Sequence, residues 1–101
     1  MKDLFVSALL DVYGEFLSEK QRALTEYYYN DDLSLSEIAE NEGITRQGAS
    51  DLIKRSVSQL KEYEEKCRYC ERFLKLKELA EDFKKGDKSQ INSIIEVINE
   101  L

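Results

Sequence analysis

The 101-residue chain contains no proline and no histidine, and only four glycines and two cysteines. Without proline, no residue is barred from donating a helical hydrogen bond, so long uninterrupted helices are favoured. Without histidine, the chain lacks the side chain most used as a physiological proton carrier and metal ligand. It also lacks a glycine-rich phosphate loop and any serine placed as a nucleophile, and its carboxylates are scattered as solvated helix faces would place them. An enzyme is therefore not expected, nor a cofactor. The two cysteines form the sequence Cys67-Arg68-Tyr69-Cys70. A tetrahedral zinc needs four ligands, so two sulfurs could serve only in a site shared across a dimer. A redox pair belongs at a helix start, where the dipole lowers the thiol pKa, whereas the pattern places this one mid-helix. Both cysteines are expected to be reduced and to pack as small hydrophobes. Long apolar runs are missing too. The opening MKDLFVSALLDVYGEF is interrupted by Asp3, Asp11 and Glu15, so neither a signal peptide nor membrane insertion is expected, and the chain is read as cytoplasmic.

What is present is a series of amphipathic helices. The length suits one compact unit, or a small domain with an extension. A first helix is expected from about Asp3 to Leu17, with Phe5, Leu9, Val12, Tyr13 and Phe16 as its buried stripe. Ser18 and Gln21 form a capping box that opens a second helix, ending near Asn30, with Leu24, Tyr27 and Tyr28 facing inward. The tyrosines are read as core rather than as platforms for bases. Asn30, Asp31 and Asp32 make a loop.

The segment from Leu35 to Lys54, LSEIAENEGITRQGASDLIK, has the spacing of a helix-turn-helix. Ala39 is small where one helix must cross another. Gly43 falls where a left-handed residue ends a helix without steric cost. Ile38, Ile44 and Leu52 supply the apolar interior. Ser34 with Glu37 makes a capping box for the first motif helix, and Thr45 is a suitable N-cap for the second. Glu42 departs from the motif, since an apolar residue is common just before the glycine.

The run DLSLSEIAENEGITRQGASDLIKR resembles the promoter-reading helix-turn-helix of primary sigma factors. From LLDVYGEFLSEKQRALTEYYYNDDLSLSEIAE through TRQG and into LKEYEEK, about two thirds of the chain is similar to the YlxM family of small bacterial helix-turn-helix proteins. That resemblance implies an all-helical fold. It also implies a link to the signal recognition particle and protein targeting, because the genes tend to lie beside that of the particle's GTPase.

Beyond Arg55 no glycine or proline occurs until Gly86, so the second motif helix is expected to run on to about Lys84, roughly 60 Å at 1.5 Å per residue. Ile53, Leu60, Cys67 and Leu74 recur every seven residues, and Ser56, Tyr63 and Cys70 repeat between them. This heptad pattern predicts a helix seam shared with a second copy, with Ile53, Leu60, Tyr63, Cys67, Cys70 and Leu74 at a homodimer interface. Leu76, Leu79, Ala80 and Phe83 continue an apolar face in a different phase. A last helix from about Lys88 to Glu100, capped by Asp87 or Ser89, carries Ile91, Ile94, Ile95, Ile98 and Leu101 on one stripe. It is expected to return antiparallel, within the chain or on a partner. The fold class is thus an all-α bundle: a helix-turn-helix domain over residues 1–58, then a long coiled-coil-like helix and a C-terminal antiparallel helix over 59–101.

Charge qualifies the nucleic-acid reading. The net charge is −6, whereas nucleic-acid domains are usually basic. Yet Thr45 to Lys61 holds Arg46, Lys54, Arg55 and Lys61 against Asp51, while Asp31 to Glu42 holds five acids and no base. The expected mechanism is a recognition helix in a DNA major groove. Arg46 and Gln47 are the candidates for base readout, suited to guanine and adenine respectively, with Ser50 and Asp51 assisting. Thr45, Lys54 and Arg55 are expected at phosphates, and Lys20, Gln21 and Arg22 at a flanking phosphate. The expected function is that of a DNA-binding regulatory protein. The alternative, favoured by the acid balance, is an adaptor that grips a protein or ribonucleoprotein component of the signal recognition particle pathway. Structured RNA is disfavoured because its deep, narrow major groove does not admit a helix.

Overall fold

The structure, a computed structural model, describes residues 3–86 and 90–100. Six α-helices account for it, and no strand occurs among the described residues. The chain divides into two compact units, residues 1–66 and 67–101.

In the first unit, α1 (Leu4–Tyr13) begins where the Asp3 carboxylate accepts from the Phe5 amide at 2.9 Å. It buries Val6, Leu9, Leu10 and Tyr13, an i, i+3, i+4, i+7 stripe. This corrects the expected stripe. Phe5 is 40% and Phe16 70% exposed, and Val12 is half-buried. The helix stops at Tyr13 and a 3-10 turn follows over Gly14–Phe16. Past Tyr13, Phe16 points away from the core and Leu17, just after the turn, is buried. The Ser18–Gln21 capping box then starts α2 (Glu19–Tyr29), as its sequence predicts. Leu24 and Thr25 are fully buried on this helix, and Tyr27, Tyr28 and Tyr29 are half-buried against the same core. The Thr25 hydroxyl donates to the Gln21 carbonyl at 2.6 Å, so its burial leaves no unmet donor.

The Ser34–Glu37 capping box starts α3 (Leu35–Glu42). Gly43 ends it at φ +67°, and the Ile44 amide turns back to donate to the Ala39 carbonyl at 3.0 Å. The turn delivers the chain into α4 (Arg46–Cys67), whose Thr45 hydroxyl accepts from the Gly48 amide at 2.9 Å. Ala49, Ile53, Ser56 and Leu60 form the buried face of α4 at spacings of four, three and four. Leu24, Ile38, Ala39, Ala49 and Ile53 make one core cluster, with Ile44 and Leu52 half-buried against it.

The second half of α4 is held by the amino-terminal helices. The Tyr13 hydroxyl donates to Glu64 at 2.7 Å, and the Tyr13 ring lies 6.0 Å from that of Tyr63. The Gln21 amide donates to Gln59 at 2.7 Å. The recognition helix therefore runs far past the motif, over 22 residues or about 33 Å. It does not run to Lys84. Arg68 adopts a left-handed conformation, φ 56°, and separates α4 from α5 (Tyr69–Lys84). The expected uninterrupted rod is thus broken by a residue with no sequence mark of a breaker.

In the second unit, α5 and α6 (Ile91–Glu100) pack together. Arg72 near the start of α5 lies 3.9 Å from Glu100 at the end of α6, which fixes the pair as antiparallel. Cys70 and Leu79 are buried, whereas α6 buries no residue. The expected helix start at Lys88, its Asp87 or Ser89 cap, and Leu101 lie outside the described residues.

Candidate nucleic-acid interface

The contact of α3 with α4 is built from small side chains. Ala39 is 6% and Ala49 0% exposed, so neither side chain holds the helices apart. With one face of α4 committed to this contact, the opposite face is open. At 100° per residue, Gln47, Lys54, Arg55 and Ser58 lie within about 50° of the centre of that open face and Lys61 further toward one edge, whereas Arg46, in the first turn, lies only about 50° from the centre of the buried face. All six are exposed, as are Thr45 and Asp51, and Ser50 is half-buried. The structure therefore gathers Gln47, Asp51, Lys54 and Arg55 on one accessible side, with Ser50 at its edge and Arg46 set apart toward α2 and α3. Lys61, counted among the cations of this segment, shares the side, as does Ser58, which was not singled out from sequence. The spacing Gln47, Asp51, Lys54, Ser58, the open counterpart of the buried series, is the signal that finds it.

Local bonding sets what these groups can do. Gln47 Nε2 donates to Asp51 Oδ1 at 2.8 Å. This uses one amide hydrogen and leaves the second hydrogen and Oε1, the donor and acceptor that an adenine edge requires. Asp51 thus serves to orient Gln47. Gly48 adds no side chain beside Gln47, and a Cβ there would approach the Thr45 hydroxyl to 3.0 Å. Arg46 lines a shallow depression with Tyr28, Asp32, Ser34, Leu35 and Glu37, so carboxylates flank it. The acids Asp31, Asp32, Glu37, Glu40 and Glu42 are all exposed on and before α3. A cationic strip on α4 therefore borders an anionic one.

Lys20 is exposed at the start of α2. Arg22 is engaged elsewhere: its Nε pairs with Glu26 at 3.0 Å, and its guanidinium packs over Gly14. Gln21 closes its capping box and bonds Gln59.

The residues of the expected seam are distributed differently. Ile53 and Leu60 are buried within the first unit, and Tyr63 packs on Tyr13 and Phe16. Cys70 is buried, while Cys67 and Leu74 are exposed. The heptad series is therefore split at Arg68, and half of it serves the chain's own core. The cysteines also depart from their expected place, because Cys67 ends one helix and Cys70 lies in the first turn of the next. No group of three metal-ligating side chains forms among the described residues. No helix among them is long and apolar enough to cross a membrane.

The sequence profile of UPF0122, the YlxM/p13-like helix-turn-helix proteins, matches residues 1–101. The chain belongs to this family. Among UPF0122 relatives, one from Shouchella clausii is 40% identical over 105 residues, covering 99% of this chain and 96% of the relative. One from Clostridium kluyveri is 46% identical over 89 residues, covering 88% and 77%. A third, from Clostridium acetobutylicum, is 38% identical over 103 residues, covering 97% and 89%. The family assignment agrees with the helix-turn-helix geometry of α3 and α4. It extends the resemblance over the whole chain, α5–α6 hairpin included.

Proposed function

We propose that the protein is a regulatory DNA-binding protein that inserts the first turns of α4 into a major groove. The observation that carries this reading is the open face of α4, on which Gln47 precedes Lys54, Arg55, Ser58 and Lys61 while the opposite face is buried, with exposed Arg46 beside it in the first turn. Gln47, oriented by Asp51, reads a base edge, and Arg46 reads another. Lys54, Arg55, Lys61 and the capped amino terminus of α4 hold phosphates, with Lys20 as a flanking contact. The bare backbone at Gly48 allows close approach of the helix to the groove. Because the whole chain is acidic, two copies acting together supply the affinity that one lacks. Selection from a random duplex pool at low salt, followed by anisotropy titration, tests the reading. Enrichment of a defined sequence is expected, and recovery of an unselected pool would refute it.

A second reading is favoured by the acidic strip before and along α3. Here the same unit serves as an adaptor for a protein or ribonucleoprotein component of the signal recognition particle pathway, the link that the family resemblance implies. Retention of a targeting component by the tagged chain at high salt, with no duplex selected, would support the adaptor over the DNA reader.

A further inference from the structure

We infer that two copies of the chain associate through one face of the α5–α6 hairpin, forming a four-helix bundle. On α5, Tyr69, Phe73, Leu76, Ala80 and Phe83 follow spacings of four, three, four and three, the repeat of a coiled-coil seam. Leu76 is half-buried and the other four are exposed. On α6, Ile91, Ile95 and Ile98 continue with spacings of four and three and are 44%, 48% and 53% exposed.

The two stripes lie on the same side of the hairpin. On α5, Arg72 and Leu79 mark the direction of α6, since Arg72 meets Glu100 and Leu79 is buried. On α6, Val97 and half-buried Ile94 mark the direction of α5. On each helix the exposed stripe is displaced from those residues by about a quarter turn, in the same rotational sense. Antiparallel neighbours view that rotation from opposite ends, so the displacements point to one common face.

Size and area identify a second copy as the occupant. Residues 67–101 form a unit smaller than the roughly 40 residues below which a fold usually needs a disulfide, a metal or oligomerisation. Its α6 has no fully buried residue, only the half-buried Ser93, Ile94 and Val97. Six large side chains on this face leave on the order of 80 Å² each, about 500 Å² per copy and about 1,000 Å² for two, the threshold for a specific interface. A two-fold axis places the same face on both copies, so the face must be self-complementary, and a surface of aromatic and β-branched side chains with a small Ala80 meets that demand. The seam differs from the heptad series of α4, whose apolar members are spent inside the first unit.

This inference supplies the second copy that the DNA reading calls on, but its test contains no nucleic acid, so either can fail without the other. Sedimentation velocity of the full chain, from about 1 to 100 µM, should show twice the chain mass with concentration-dependent dissociation. Ile95→Glu with Ile98→Glu should weaken the dimer at least about 100-fold. Phe73→Glu should do the same from the other helix, and Glu78→Lys, on the far side of α5, should not. Circular dichroism checks that each variant keeps its helices, and Ile98→Ala serves if a glutamate variant does not fold. A monomer throughout the range would overturn the inference and leave the face to a different partner. A dimer unaffected by folded variants at Phe73, Ile95 and Ile98 would overturn it equally.

Discussion

Three residues illustrate how little chemistry the first unit needs to place its open face. Gly43 ends α3 at φ +67° with nothing within 4 Å of a hypothetical Cβ, so any substitution there meets backbone strain and no clash. Gly43→Ala should therefore cost about 1 to 2 kcal/mol in a urea unfolding experiment, and Gly43→Asn less. On the proposed reading, Gln47 and Lys54 at the open face separate specificity from affinity. Gln47→Ala should lose about 1 to 3 kcal/mol on the selected sequence and relax one base position, whereas Lys54→Ala should weaken all sequences alike. Equal losses on every sequence from both would mean that α4 reads no bases. Tyr29 provides a pH test. Burial first, then Tyr28 and Asp3, push its phenol above the ordinary value. The folded state thus disfavours the phenolate, and this contribution to stability is present below about pH 10 and lost as pH rises through the raised pKa. The urea midpoint should fall more steeply above pH 10 for the unsubstituted chain than for Tyr29→Phe.

At the scale of elements, the caps were the most legible part of the sequence. Ser18–Gln21, Ser34–Glu37 and Thr45 each mark a helix start that the structure reproduces, because a capping box is a local bond within four residues. The helix-turn-helix was equally plain through Ala39 and Gly43. Two features were hidden. One is the end of α1 at Tyr13, where a 3-10 turn takes over, a change of winding that periodicity extended from Leu9 to Phe16 does not register. The end of α4 rests on Arg68, whose left-handed backbone replaces a glycine that the sequence does not contain. That break yields an expected outcome with a clear sign. Arg68→Gly should leave stability unchanged or raise it by up to about 1 kcal/mol, whereas within a continuous helix it would lower stability by about that amount. The crossing of α3 and α4 makes a second test, since Ala39 is 6% exposed at the contact. Ala39→Leu should destabilise by about 1 to 3 kcal/mol and open the crossing. The candidate residues of α4 were legible as residue types at helical spacing. The engagement of Arg22 was not, because its pairing with Glu26 and its packing over Gly14 depend on how α2 meets the turn before it.

For the whole molecule, the net charge of −6 is the quantity that governs behaviour. An acidic chain gains little from general attraction to a duplex, so binding must come from the few cations on α4. If three or four phosphates are contacted, affinity should fall roughly 40- to 150-fold for a fourfold rise in salt. An adaptor contact through apolar surface would barely respond, and anisotropy titrations at two salt concentrations decide between them. The hydrogen bonds from Tyr13 to Glu64 and from Gln21 to Gln59 bear on a different property. They anchor the far half of α4 to α1 and α2, so the helix that faces the groove cannot change its pitch without disturbing the core of its unit. In the proposed complex the compliance must then reside in the duplex. Sites containing easily deformed TA or CA steps next to the contacted bases should be preferred over stiff A-tracts, a selectivity arising where no side chain touches the DNA.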